Sequence, residues 1–234
     1  MEALGGDAVV QPARGRAKKL LVADMDSTMI TVECIDELAD YAGIKAEIAA
    51  VTEAAMRGEL DFGEALDARV ALLRDLDAAM IDRCRAERVR IMPGAVALIR
   101  TMKAHGARTV LVSGGFTVFA DPVAAEIGFD VSIANRLGIG AGRLDGTVAK
   151  PIVDAATKLA TIEAERVALG LDTDETMAVG DGANDIPMIQ AAGLGVAYHA
   201  KPKTAEVAAA RIDRGDLTAL LWAQGYPRSA WLTR

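Results

Sequence analysis

The chain has 234 residues, 52% of them hydrophobic and 25% charged, enough for one large domain or for one domain carrying a smaller insert around a sizeable core. Its net charge of −7 argues against a general affinity for nucleic acid or anionic membrane, so an anionic substrate would have to be met by local cations. Every apolar run falls far short of the roughly 18 residues that a membrane span needs, and Cys34 and Cys84 are too few for a disulfide framework. The cytosol is the default location.

Residues 1–19 mix Gly, Pro and charges without an apolar stretch and read as a flexible tail, not a signal peptide. From residue 20 the chain alternates. The apolar run 20–23 ends on Asp24, with Asp26 two positions later. Residues 35–91 show helical periodicity and hardly any strand signal, up to the break at Pro93-Gly94. A helix is expected over 95–102, then a strand over 109–112 that runs into Ser113-Gly114-Gly115. The stretch 135–148 is expected to form a hairpin turning at Asp145-Gly146. A helix over 158–169 follows, then a strand over 177–179 ahead of the cluster 180–185, and a further strand over 194–197. The region of Trp222 and Trp231 reads as a C-terminal helix with apolar anchors.

This alternation predicts an α/β fold. Its core, residues 20–34 and 92–234, is a Rossmann-like parallel sheet covered by helices. A small helical-bundle cap, residues 35–91, is inserted after the first strand as a lid over the strand ends. Ligands in such sheets sit at the carboxyl ends of the strands, where the three polar clusters would meet.

Asp24 and Asp26 place two carboxylates at one strand end, and ionising both requires a cation nearby. A hard divalent ion such as Mg²⁺ takes oxygen ligands and would relieve the repulsion, with Asp181 and Asp185 of the second acidic loop adding oxygens. The alternative for the first pair is a plain turn cap. Ser113 before two glycines suits an anion cradle, and also an ordinary strand-to-helix turn. Asp154 is an expected helix N-cap, which puts Lys158 near the first turn. A cation there opposes the helix dipole unless it meets an anion, and a solvated surface lysine is the other reading.

Asp61 followed by Glu64 has the capping-box pattern. On the helix it opens, Phe62, Leu66, Arg69 and Leu73 share a face, so Arg69 either clamps a carboxylate or snorkels to solvent. Glu33 alone is an acid near a helix start, and Met56 reads as core or pocket filler. His105 and His199 show no metal-ligand spacing.

Together, Asp24-Met25-Asp26-Ser27-Thr28, Ser113-Gly114-Gly115, Lys158 and Gly180-Asp181-Gly182-Ala183-Asn184-Asp185 resemble the four ordered motifs of the haloacid dehalogenase (HAD-like) superfamily of phosphatases. Glu33 and the stretches DFGEALDARVALL, MPGA, VSGGF, VGDGANDIPMI and YHAKP are similar to its phosphoserine-hydrolysing branch, so the likeness covers about residues 20–220. Some members carry an extra amino-terminal regulatory domain, for which residues 1–19 are expected to be too few.

The resemblance implies that Asp24 is the nucleophile and Asp26 the general acid and base. It implies Mg²⁺ held by Asp24, the Asp26 carbonyl and Asp181, with Asp185 orienting its neighbours. Ser113, Gly114, Lys158 and Asn184 would bind the phosphate. Glu33 would take the substrate ammonium and Arg69 its carboxylate, with Met56 and Phe62 excluding water. The expected partner is a small phospho-amino acid, neither nucleic acid nor membrane, and a homodimer is left open. A phosphatase or phosphotransferase acting on a homologue such as phosphohomoserine is the near alternative. A receiver-type signalling domain shares the strand-end Asp, acids, Ser/Thr and Lys, but lacks a long helical lid.

Overall fold

Four consecutive buried residues make β1 (Leu20–Ala23), and their alternation sets up two layers. Leu21 and Ala23 enter one apolar cluster while Leu20 and Val22 enter another, because successive strand side chains point to opposite faces. The structure, a computed structural model, describes residues 5–233; the side chain of Met56 lies outside the described residues.

Four helices follow β1: α1 (Cys34–Ala42), α2 (Lys45–Met56), α3 (Phe62–Leu72) and α4 (Ala79–Arg88). Next come α5 (Ala95–Ala104), β2 (Arg108–Phe116), α6 (Thr117–Ile127) and β3 (Val131–Asn135). A hairpin of β4 (Leu137–Gly140) and β5 (Arg143–Val148) leads to α7 (Ala155–Ala168) and β6 (Thr176–Gly180). The chain ends through α8 (Ile186–Ala191), β7 (Leu194–Tyr198), α9 (Pro202–Val207), β8 (Ala210–Ile212) and α10 (Ala219–Gln224). No helix among the described residues is long and apolar enough to cross a membrane.

Among the described residues the main sheet has six strands in the order β3-β2-β1-β6-β7-β8, all parallel. From β1 the chain steps to one side through β2 and β3, and later to the other through β6, β7 and β8. Ligands bind where a sheet reverses its strand order in this way. The carboxyl ends of β1, β2 and β6 therefore bring residues distant in sequence to one edge.

α1 to α4 stand over that edge. Leu38, Leu66, Val70, Leu73 and Ile81 join the same apolar cluster as Leu21 and Ala23, so this bundle continues the core on one side of the sheet. α3 starts as its sequence demands: Glu64 N donates to Asp61 Oδ1 at 2.8 Å and Asp61 N to Glu64 Oε2 at 2.9 Å. The loop after α3 is also fastened to the hairpin through the backbone. Asp75 N donates to Leu144 O, Leu144 N to Leu76 O and Ala78 N to Gly142 O, each at 2.9 Å.

The hairpin forms where expected but turns elsewhere. Its two-residue turn is Ala141-Gly142, with φ of 49° and 76°, the positive pair that a type I′ turn requires. Asp145-Gly146 lies inside β5. There Asp145 Oδ1 accepts from Thr147 N at 2.8 Å, and a Cβ on Gly146 would lie 3.0 Å from Arg74 Cβ. The Asp-Gly pair thus serves close packing against the helical insert, not chain reversal. Two edge strands, β3 and β8, are absent from the sequence pattern because they are short and only partly apolar.

Residues 5–19 carry no helix and only short turns, yet they are laid along the C-terminal segment. Asp7 accepts from the backbone N–H groups of Asp213, Arg214 and Gly215, and Arg16 donates to the Trp222 and Ala223 carbonyls. Composition marks such a stretch as loose, and long-range hydrogen bonds hold it.

Ala141 occupies a left-handed conformation that costs an L-residue about 1–2 kcal/mol. Ala141→Asn, which creates the Asn-Gly pair favoured at this turn, is expected to raise stability by about 0.5–1 kcal/mol, or about 1–4 °C in Tm by calorimetry.

Candidate active site

β1 ends at Ala23, and Asp24 N still pairs with Val179 O at 3.0 Å, so Asp24 leaves the sheet in a fixed direction. The chain then reverses within the next few residues. Met25 O accepts the N–H groups of Thr28, Met29 and Ile30, and Ser27 adopts φ 56°. Asp24 is buried, and Asp26 Oδ1 is buried with no hydrogen-bond partner among the described residues.

Lys158 approaches from α7, whose N-cap Asp154 accepts from Thr157 N at 2.8 Å. Its side chain is 0% exposed, and Nζ lies 2.6 Å from Asp24 Oδ1 and 2.6 Å from Asp185 Oδ1. Burial alone would lower the ammonium pKa, but the two carboxylates override it and the pKa rises. The solvated-surface reading of Lys158 is therefore excluded by geometry.

β6 delivers the second acidic loop. Asp185 Oδ2 accepts from Asp181 N at 3.1 Å and Gly182 N at 3.0 Å, folding the loop back on itself. A Cβ on Gly180 would collide with the Asp185 carboxyl, so glycine is required there. Asp181 takes Thr28 Oγ1 at 3.4 Å and has Lys201 Nζ 3.9 Å away.

Carboxylate oxygens of Asp24, Asp181 and Asp185 fall within 4.8 Å of one another. Three carboxylates and one lysine leave two excess negative charges when all are ionised, the charge of one divalent cation. The donor set fits a hard cation. Asp185 has both oxygens committed to Lys158 and the loop N–H groups, which leaves Asp24 and Asp181 as the carboxylates with an available oxygen. Burial and then Asp185 push the Asp24 carboxyl well above the usual range while Lys158 opposes them. Burial and then Asp185 likewise raise Asp181 to about 6. Burial, then the Glu33 charge, raises Asp26 to about 7.

Asp24, Asp26 and Asp181 line a cavity of about 750 Å³ whose wall includes Ser113, Gly114 and Asn184 and whose roof comes from the inserted helices. Gly115 N donates to Ser113 Oγ at 2.9 Å. Phe62 lies against the glycine turn, 3.2 Å from where a Gly114 Cβ would stand. Glu33 precedes α1 and accepts from Ser27 Oγ at 2.7 Å. Arg69 is half-buried, its Nε on Ala65 O at 3.2 Å, and burial lowers its pKa. Neither Glu33 nor Arg69 has an ion-pair partner among the described residues, so both charges face the cavity uncommitted.

Lys201, which the sequence marks only within YHAKP, and Lys203 and Thr204, which it does not mark, also line the cavity. A signal was present, since they follow β7 and the ends of these strands all face one edge. Asn135 was also missed, because its partners are backbone groups brought to it by folding.

Acids and a buried lysine at the carboxyl ends of a parallel sheet, under a helical roof, form a site able to hold a divalent cation beside an anion. The chain belongs to the haloacid dehalogenase-like hydrolase family, whose model matches residues 21–190. Among its relatives are phosphoserine phosphatases. That of Streptomyces coelicolor is 47% identical over 97% of this chain, which spans about half of that protein (55%). That of Polaromonas sp. is 47% identical over 87% of this chain and 88% of its own length. A solved phosphoserine phosphatase described as a phospho-aspartyl intermediate analogue superposes with a TM-score of 0.80 at 37% identity, over 88% of this chain and 98% of that one.

A divalent cation is expected to raise Tm, and by more at about pH 8 than at about pH 5.5. Asp181 and Asp26 are raised above their ordinary value of 3.8, so the native protein keeps protons that the unfolded chain has lost. Their contribution to stability therefore declines as pH rises through about 4 to 7, the window in which a cation increasingly replaces the protons. Equal increments at both pH values would contradict this account.

Proposed function

We propose that the chain is a phosphatase that hydrolyses O-phospho-L-serine to L-serine and phosphate through an aspartyl-phosphate, with Mg²⁺ as its cation. This is the last step of serine biosynthesis. One observation carries the reading. A single cavity holds a buried, lysine-held carboxylate, a second carboxyl raised to about 7, and an uncommitted acid and arginine in its roof. The first two suit phosphoryl transfer, and the last two suit the ammonium and carboxylate of an amino acid. The similarity to phosphoserine phosphatases supports the same substrate.

In this reading a carboxylate oxygen of Asp24, whose direction Lys158 fixes, attacks phosphorus and takes the phosphoryl group. Asp26, protonated near neutrality, gives its proton to the departing serine oxygen. Once ionised, it takes a proton from the water that cleaves the acyl phosphate. The Ser113 hydroxyl, the Gly114 N–H and Lys158 stabilise the equatorial oxygens, with Asn184 beside them. Asp185 keeps Lys158 aimed. Mg²⁺ on Asp24, Asp181 and the Asp26 carbonyl would offset the charge of the phosphoryl group. Glu33 and Arg69 orient the amino acid while Phe62 excludes water. Two free, buried thiols support a cytosolic setting.

Turnover of O-phosphoserine, O-phosphothreonine and phosphohomoserine, with and without Mg²⁺, tests the substrate. Phosphoserine is expected to have the highest kcat/KM and to require the cation, and equal use of all three would remove the specific claim. Asp24→Asn is expected to lower kcat by at least ~10³-fold and to abolish acid-stable labelling of the protein by phosphate, with an unchanged circular dichroism spectrum. Near-normal turnover by this variant would exclude Asp24 as nucleophile.

A further inference from the structure

Asn135 closes β3 and is 2% exposed. Its side-chain amide is spent entirely on backbone. Nδ2 donates to Gly114 O at 2.9 Å and to Val153 O at 3.2 Å, and Oδ1 accepts from Val153 N at 2.7 Å. The orientation is unambiguous, because a backbone N–H only donates and a carbonyl only accepts.

The Gly114 carbonyl belongs to the same peptide group as the Gly115 N–H, and that N–H donates to Ser113 Oγ. Holding the carbonyl therefore holds the N–H. Ser113 Oγ accepts in that bond, and its hydroxyl hydrogen, which has no acceptor among the described residues, is free to meet one in the cavity. The other end of the Asn135 amide grips Val153, next to the N-cap of α7. Among the described residues no backbone hydrogen bond joins the glycine turn of β2 to the start of α7, so the side chain of Asn135 spans that gap.

We infer that Asn135 is a positioning residue for phosphoryl transfer: anchored on Val153, it locks the 114–115 peptide and thereby aims the Ser113 hydroxyl at the phosphoryl group. The inference rests on the proposed phosphatase activity, in which Ser113 stabilises the transferring oxygens. Asn135 touches no reacting atom and acts through Ser113.

A double-mutant cycle tests it. kcat and KM for O-phosphoserine are measured for wild type, Asn135→Ala and the milder Asn135→Ser, each with Ser113 present and in a Ser113→Ala background, below the Tm of the least stable variant. With Ser113 present, the Asn135 substitutions are expected to lower kcat by about 10- to 100-fold while KM moves less than about threefold. In the Ser113→Ala background the same substitutions should lower kcat by less than about threefold, since the hydroxyl they aim is gone. A lowered Tm with kcat retained in the folded protein would overturn the inference, and so would an equal loss of kcat in both backgrounds. A wild type inactive on O-phosphoserine but active on p-nitrophenyl phosphate would overturn the substrate reading alone. The cycle is then read on p-nitrophenyl phosphate with the same expectations.

Discussion

The ammonium of Lys158, buried between Asp24 and Asp185, is the constraint on which the rest of the structure depends. A charge with no solvent access must be paired, and removing one partner of a buried pair costs roughly 3–5 kcal/mol. Lys158 therefore fixes the end of β1 against the loop after β6. Asp185 extends the constraint, because its second oxygen holds the N–H groups of Asp181 and Gly182. Three segments far apart in sequence become one rigid charge network before any ligand arrives. Such preorganisation is what charge stabilisation in a transition state requires.

The network is unbalanced toward negative charge, and its surplus makes a cation part of the design. The raised carboxyls of Asp24, Asp26 and Asp181 express the same surplus in protons. At the sheet edge nothing is adjustable, since β1 is buried on both faces and its residues alternate into two packed clusters. The inserted helices are a different kind of element. Their apolar side is continuous with the core and their loop is pinned to the β4–β5 hairpin, yet they present uncommitted charges, Glu33 and Arg69, to the cavity. In the proposed function, phosphorus chemistry belongs to the sheet edge and recognition of the amino acid to the insert. Asn135 ties the glycine turn to α7 at the wall between them.

Much of this was legible residue by residue. The central strands announce themselves because burial on both faces demands unbroken apolar runs, as at Leu20–Ala23. The Asp61 and Asp154 caps were readable because a cap is a local hydrogen bond with a short sequence signature. The edge strands were not, since one neighbour and partial exposure relax the demand on composition. The turn at Ala141-Gly142 was hidden by the stronger Asp-Gly signal four residues on, whose glycine serves a close approach to Arg74. Arg69 was undecidable from spacing, because a helix face can look to solvent or to a cavity with the same periodicity.

By itself the sequence determined the parallel α/β core, the helical insert after β1 and the acids, lysine and glycines at the strand ends. These follow from periodicity, capping and the conformational freedom of glycine, all properties of neighbouring residues. Only the tertiary structure decided that Lys158 is wholly buried, that Asp185 is committed to it while Asp24 and Asp181 keep oxygens for a cation, and that Glu33 and Arg69 face one cavity unpaired. It also decided that residues 5–19 lie along the C-terminal segment and that Asn135 bridges two loops. The physical reason is common to all of these: burial and charge pairing depend on what folding brings from elsewhere in the chain, and no local pattern encodes the neighbour.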